Sequence, residues 1–214
     1  LLRRIPEHSK AMGSKDWNAN QTRKPLPRGR RLYRKRYGIV GASMVARSLI
    51  PLLKPFGVEI VVYDPYLSHR QAKDLGVAKA ELTDLMASCD VISLHAPTLP
   101  ETKQMIGAAL LETIRDDAVF VNNARAWLVD SKALLTELKK ERFDAALDVF
   151  DDEPLAENSP LRRLDRTILT PHIAGDTMES RSNLIGSMVD ELERFLLARP
   201  LLYEISYDQF KTMA

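Results

Sequence analysis

From Tyr37 onward, short apolar runs rich in β-branched residues alternate with amphipathic stretches, and this order constrains the fold of the 214-residue chain more than any other feature. The strand candidates are YGIVG (37–41), VEIVVYD (58–64), DVISLHA (90–96), AVFVNN (118–123), FDAALDV (143–149) and TILTPH (167–172). Continuous apolar runs of this length suit strands buried on both faces. Helix candidates lie between them, near 44–56, 68–75, 81–88, 108–115 and 130–141. Strand-helix alternation with short connections predicts a parallel sheet with helices on both faces, a doubly wound α/β domain. A further stretch, 176–198, sets Leu184, Met188, Leu192 and Phe195 on one helical face before Pro200 closes it, and is expected to pack across the sheet or onto a partner. Pro51 falls inside the first helix candidate, where it removes a backbone donor and crowds the carbonyl of Arg47, so a bend is expected there.

Hydrophobic residues make up 45% of the chain and charged residues 28%, the balance of a folded globular domain and not of a disordered segment. Pro51, Lys54, Arg199 and Pro200 interrupt the most apolar stretches, so no membrane span is expected. Cys89 is the only cysteine, which excludes an internal disulfide and a cysteine-based metal cluster and fits a reducing compartment. A cytoplasmic location and no metal site are expected. The chain opens at Leu1 without a secretory signal pattern, so a fragment of something longer is a further expectation.

The net charge of +2 conceals an asymmetry: residues 1–36 hold twelve Lys and Arg against Glu7 and Asp16, a net +10, which leaves −8 on the remainder. Eight of these cations fall between Arg23 and Arg36, interleaved with Pro25, Pro27 and Gly29, and read as an extended arm. Such a run fits either a nucleic-acid or phosphate-binding arm or a solvated linker. The linker is favoured, since only Tyr33 and Tyr37 offer stacking rings.

The turn after the first strand reads Gly41-Ala42-Ser43-Met44-Val45-Ala46. Against the dinucleotide pattern G-x-G-x-x-G/A it keeps the first glycine, replaces the second by Ser43 and ends in the permitted alanine. The second glycine lets backbone approach a pyrophosphate, so Ser43 is expected to weaken that contact. Asp64 ends the second strand, where a carboxylate can accept from adenosine ribose hydroxyls and repel a 2′-phosphate, favouring NAD over NADP. The loop alone also fits a tight strand-to-helix turn without a ligand; the order strand, loop, helix, strand and Asp favours the cofactor.

Three polar residues follow late strands: Arg125 after AVFVNN, Glu153 after ALDVF and His172 at the end of ILTPH. The carboxyl ends of strands line the ligand crevice of an open α/β sheet. There an arginine can clamp a carboxylate, a histidine can exchange a proton with a hydroxyl or carbonyl oxygen, and a carboxylate can orient the imidazole. From spacing alone the same residues also fit an exposed arginine, a capping glutamate before Pro154 and a core histidine satisfied by backbone.

Taken together, YGIVGASMVARSLIPLLKPFGVEIVVYDPYL, SLHAPTLPETKQMIGAALL, VFVNNARAWLVD, AALDVFDDEPL and LTPHIAGDT resemble the NAD-dependent D-2-hydroxyacid dehydrogenases, the family of phosphoglycerate dehydrogenase, D-lactate dehydrogenase and formate dehydrogenase. The resemblance runs from about residue 30 to 198. It implies a Rossmann-like NAD-binding domain over 37–198, a basic arm with the remnant of an interdomain helix over 1–36, and a tail over 199–214. Most of the family's substrate domain is then absent from this chain. The implied activity is hydride transfer between NAD(H) and a small D-2-hydroxy or 2-oxo acid. Arg125 resembles the arginine that binds the substrate carboxylate, and Glu153 and His172 resemble the family's paired glutamate and histidine. Asp148 would hold the nicotinamide carboxamide; Met44 and Val45 would lie at the pyrophosphate; Ala96, Asn123 and Ala124 would line the cofactor. A homodimer is also implied.

The chain departs from the family at Ser43, at Asn123, and at Ala126, which stands for a glycine and is followed by the bulky Trp127. Ala126 would be strained if that position requires a positive φ. These departures, the missing domain and the basic arm leave a contrasting reading: a noncatalytic NAD(H)-responsive binding or dimerisation module, like the family's corepressor branch.

Overall fold

Seven strands, β1 (Arg36–Val40), β2 (Glu59–Tyr63), β3 (Ala78–Lys79), β4 (Val91–Leu94), β5 (Val119–Asn122), β6 (Asp144–Leu147) and β7 (Thr167–Leu169), form one sheet in the order β3-β2-β1-β4-β5-β6-β7. Every pairing is parallel. These are features of a computed structural model, which describes residues 1–6, 8–9 and 29–210. Residues 23–28 of the basic run lie outside the described residues. The helices are α1 (Met44–Leu53), α2 (His69–Leu75), α3 (Leu82–Ser88), α4 (Ala108–Thr113), α5 (Ser131–Leu138), α6 (Met178–Leu196) and α7 (Tyr207–Phe210). This is the doubly wound α/β architecture expected from the alternating pattern.

Both faces of the sheet carry a core. On one, Leu85 and Met86 of α3, Leu111 of α4 and Leu134 of α5 close over Ile92, Leu94, Phe120 and Leu147. On the other, Ala46, Ile50 and Leu53 of α1 and Ala72 of α2 cover Ile39, Ile60 and Val62, joined by Leu1, Leu2 and Leu32. The apolar runs thus face helices on both sides, and β4 is buried along its whole length. Pro51 does not interrupt α1 at once: the helix continues to Leu53 and then tightens into a 3-10 turn over Lys54–Phe56.

Of the two arrangements expected for the long C-terminal helix, packing across the sheet is not the one found. A capping box starts α6, with Thr177 Oγ1 accepting from Ser180 N at 3.0 Å. None of its residues is buried, and Leu184, Met188, Leu192 and Phe195 are 66%, 64%, 58% and 68% exposed. It therefore does not pack across the sheet. On the sheet face opposite α4 and α5, Val121, Ala146 and Ile168 are left half-buried.

At the amino end of β6, Asp144 is fully buried and collects three guanidinium groups. Its Oδ1 accepts from Arg4 and Arg166, both at 2.7 Å, and its Oδ2 lies 3.4 Å from Arg30. Arg166 also reaches Asp117 at 3.0 Å. The opening residues are thereby pinned to the bottom of the sheet. Further cations of the arm are engaged too: Lys35 pairs with Asp90 at 2.9 Å, Arg36 with Glu59 at 3.7 Å, and Arg31 and Arg34 flank the Tyr33 ring.

Candidate active site

The sheet order reverses between β1 and β4, and the crevice outside their carboxyl ends is where a parallel sheet of this type takes a ligand. Gly41 turns the chain there with φ of +95°, and a Cβ on it would stand 2.5 Å from the Ala96 nitrogen. Both the backbone angle and the close approach to the end of β4 require glycine. Ser43, by contrast, has φ of −62° and needs no glycine; it is the N-cap of α1, its Oγ accepting from Ala46 N at 3.3 Å. The hydroxyl thus takes one of the free N–H groups of the first turn, while the side chains of Met44 and Val45 stand exposed. Asp64 braces the same turn: Oδ2 accepts from Ala42 N and Oδ1 from Tyr66 N, each at 2.7 Å.

His95, unremarked in the sequence beside Ala96, follows β4. Its Nε2 lies 2.8 Å from Ser93 Oγ, and burial pushes its pKa down to about 4. Near neutral pH it is uncharged. The unfolded chain takes up a proton below about pH 6.5, whereas the folded one resists until about pH 4, so stability is full above 6.5 and lost as pH falls through this window. The total loss is about 3 kcal/mol. Denaturant titrations between pH 7.5 and 4.5 check this: a His95→Gln variant should show a markedly flatter decline, and parallel declines would remove His95 as the cause.

On the other half of the edge, the carboxyl ends of β5, β6 and β7 carry Arg125, Glu153 and His172. Neighbouring strands lie about 4.8 Å apart, so the three strand ends fall within about 10 Å. The loop with Arg125 is held by Asn122, a buried residue the sequence reading passed over in favour of the exposed Asn123. Asn122 Nδ2 donates to the Arg125 carbonyl at 3.0 Å, and its Oδ1 accepts from Ala124 N at 3.1 Å. Arg125 itself donates to the Ala124 carbonyl at 2.7 Å and is exposed. Ala126 is not among the described residues with positive φ; it opens a 3-10 turn, Ala126–Leu128, so its Cβ is accommodated. The Trp127 indole donates to the Leu99 carbonyl at 3.0 Å, and Lys103 stacks on its ring at 4.8 Å. This ties the loop after β5 to the loop after β4.

Glu153 and His172 meet: Oε2 lies 2.7 Å from Nδ1. The other carboxylate oxygen accepts from Phe150 N at 3.0 Å. The hydrogen bond with His172, then that from Phe150, hold the Glu153 carboxyl below its ordinary pKa. An ionised carboxylate only accepts, so Nδ1 is the donor and Nε2 remains available to a ligand oxygen. His172 does not end a strand as expected; β7 stops at Leu169 and His172 sits in the following turn with φ of +55°.

The side chain of Asp148 is buried. Its Oδ1 accepts from Thr170 Oγ1 at 2.5 Å and Ile173 N at 2.9 Å, and its Oδ2 from Ala174 N at 2.9 Å. Burial alone would raise its pKa, but the hydrogen bonds from Thr170, Ala174 and Ile173, with His172 nearby, outweigh burial and lower it.

The family model for the NAD binding domain of D-isomer specific 2-hydroxyacid dehydrogenases matches residues 1–174. The chain belongs to that family. Among curated relatives, this NAD-binding domain is 32% identical over 201 residues to a D-3-phosphoglycerate dehydrogenase of Synechocystis, covering 94% of this chain and 35% of the relative. It is 35% identical over 165 residues to a glyoxylate reductase of Korarchaeum cryptofilum, covering 77% and 50%. Among solved structures, a D-lactate dehydrogenase of Treponema pallidum superposes with a TM-score of 0.79 at 29% identity, covering 96% of this chain and 65% of that one. The chain thus spans about a third to a half of the length of these two curated relatives.

The donor set fits NAD. The first turn of the ten-residue α1 keeps unpaired N–H groups for a pyrophosphate, and Asp64, with one bond on each oxygen, keeps lone pairs for ribose hydroxyls. Asp148, with three of its about four lone-pair sites taken by its own chain, keeps one for a carboxamide N–H.

Proposed function

We propose that this domain is the cofactor-binding and catalytic half of an oxidoreductase that moves a hydride between NAD(H) and a small D-2-hydroxy or 2-oxo acid. The observation that carries the reading is the 2.7 Å contact between His172 Nδ1 and Glu153 Oε2, on the same edge of the sheet as Arg125. The names of the curated relatives support the substrate class. On this reading 37–198 is the cofactor domain, 1–36 a basic arm with part of an interdomain helix, and 199–214 a tail.

NAD, when bound, supplies or receives the hydride. Arg125 would hold the substrate carboxylate through paired N–H donors. His172 Nε2 gives a proton to the ketone oxygen on reduction and recovers it on oxidation. Glu153 accepts from Nδ1, fixes the ring and stabilises the imidazolium. Gly41 and Ser43 would form the turn under the pyrophosphate, with the N–H groups of Met44 and Val45 as its donors. Asp64 would accept from the ribose and select NAD over NADP, while Ala96, Asn123 and Ala124 line the site. Self-association belongs to the same proposal: the exposed apolar face of α6 supports a homodimer. So does a cytoplasmic location, in keeping with the free, buried Cys89 thiol. The pairing of arm cations with Asp90, Asp144 and Glu59 supports a structural role for the arm over nucleic-acid binding.

An NADH titration of this chain, followed by fluorescence, tests the reading. Saturable binding is expected, weakened about tenfold or more in Asp64→Ala through loss of charge-assisted hydrogen bonds. No binding up to millimolar NADH would overturn it and bring forward the noncatalytic interaction module.

A further inference from the structure

Among the described residues outside the Glu153–His172 pair, the most heavily hydrogen-bonded carboxylate at this edge of the sheet is Asp148, whose oxygens accept from three donors in the segment around His172. Thr170 precedes the histidine by two residues, and Ile173 and Ala174 follow it directly. His172 stands between these anchors at φ of +55°, a left-handed conformation that a residue with a Cβ adopts at a cost. Its own N–H donates to the Thr170 carbonyl at 3.1 Å, a bond that stays within the turn. The turn therefore needs an outside group to hold it, and the buried carboxylate at the end of β6 is that group.

We infer that Asp148 is a positioning residue for His172: its carboxylate gathers Thr170 Oγ1 and the N–H groups of Ile173 and Ala174, fixes the left-handed turn, and so aims the imidazole at Glu153. The inference rests on the dehydrogenase reading for its consequence in catalysis but not for its geometry. It gives Asp148 a task on the backbone of the histidine loop beside the contact with the nicotinamide carboxamide that the resemblance implies. With about four lone-pair sites on a carboxylate, three are filled from within the chain. Those donors come from two sides of one residue, an arrangement that fixes a backbone angle. Asparagine cannot replace the carboxylate here: its amide presents N–H hydrogens where Ala174 N–H, or Thr170 and Ile173, must donate. Thr170 is the second part of the device, since its hydroxyl is the one side-chain donor to Asp148.

The test uses the full chain, labelled with nitrogen-15, and compares wild type with Asp148→Asn, Thr170→Val and Thr170→Ser. The first readout is the nitrogen-15 imidazole signal of the Nδ1–H tautomer of His172, the form that the bond to Glu153 holds. In Asp148→Asn this signal is expected to be lost and the coupling constants that report positive φ at His172 to average out. Thr170→Val weakens the signal, and Thr170→Ser, which keeps the hydroxyl, restores it. The second readout is NADH affinity, titrated by fluorescence on the same variants. An intact His172 signal in Asp148→Asn, at whatever NADH affinity, would overturn the assignment. If Asp148→Asn does not fold, Thr170→Val decides, and an unaltered His172 spectrum there overturns it equally. Because the spectra need no turnover, a failure of the dehydrogenase reading leaves a distinct pattern: the His172 signal responds to Asp148 while no variant binds NADH.

Discussion

Replacing His172 by alanine, in a protein that also carries the substrate domain of this family, should lower kcat for 2-oxo acid reduction by about 10²- to 10⁴-fold, the range a positioned general acid supplies. The ring is the only group at this edge with one nitrogen committed to a carboxylate and the other open to a ligand oxygen. Arg125 is fixed through Asn122 on a separate strand, and the turn at Gly41 is braced by Asp64, so neither substrate carboxylate binding nor NADH binding depends on the imidazole. NADH affinity is therefore expected to hold in the variant while turnover collapses. Glu153→Gln should fall between the two: an amide carbonyl still accepts from Nδ1, but it carries no charge to stabilise an imidazolium. Steady-state kinetics with a parallel NADH titration separate these effects. Undiminished kcat in His172→Ala would end the assignment of this histidine as the proton donor.

The second large effect is on stability. Asp144→Ala removes the buried carboxylate that Arg4, Arg30 and Arg166 share and that offsets their mutual repulsion, while Arg166 keeps its contact with Asp117. Breaking a buried ion pair from one side costs about 3–5 kcal/mol, because the remaining charge stays desolvated. For a chain of this size that lowers the melting temperature by about 6–20 °C. Arg166→Met should cost less, since Arg4 still satisfies the same oxygen and the substitution retains apolar bulk. Thermal melts of the two variants check the order. A melting temperature for Asp144→Ala within a degree or two of wild type would mean that the cluster is not the clamp its geometry indicates.

The two halves of the site differed in how much their residues declared in advance. The β1, β2 and β4 strands were legible because strands covered on both faces must be apolar throughout, and β5 and β6, half-buried at Val121 and Ala146, keep the same continuous run. The two-residue edge strand β3, Ala78–Lys79, leaves no such run, since it pairs on one side only and sheds its burial. Glu153 and His172 were legible through their neighbours in the motifs, but the left-handed turn that holds His172 was not: no glycine marks it, and it is imposed from 25 residues away by Asp148. Ser43 has a role that the glycine pattern does not reveal. Judged against a glycine pattern it is a defect, whereas at φ of −62° it serves as a helix cap. For α6 the apolar stripe was visible, but a stripe records only that a face is suited to burial; what covers it is not encoded in its period.

The clamp at Asp144 also sets an order of events during synthesis. Arg4 is separated from its carboxylate by 140 positions, and Arg166, which shares that oxygen, is made later still. A ribosome adding 5–20 residues each second needs roughly 8–30 s to travel from the first of these arginines to the last. For all that time Arg4 waits for this carboxylate, while Leu1 and Leu2 beside it already have the core of β1 and β2 to pack on. Formation of the cluster is then a closing step, made when β6 and the turn before β7 have emerged, and the Arg4 guanidinium stays open to other anions until Asp144 withdraws it.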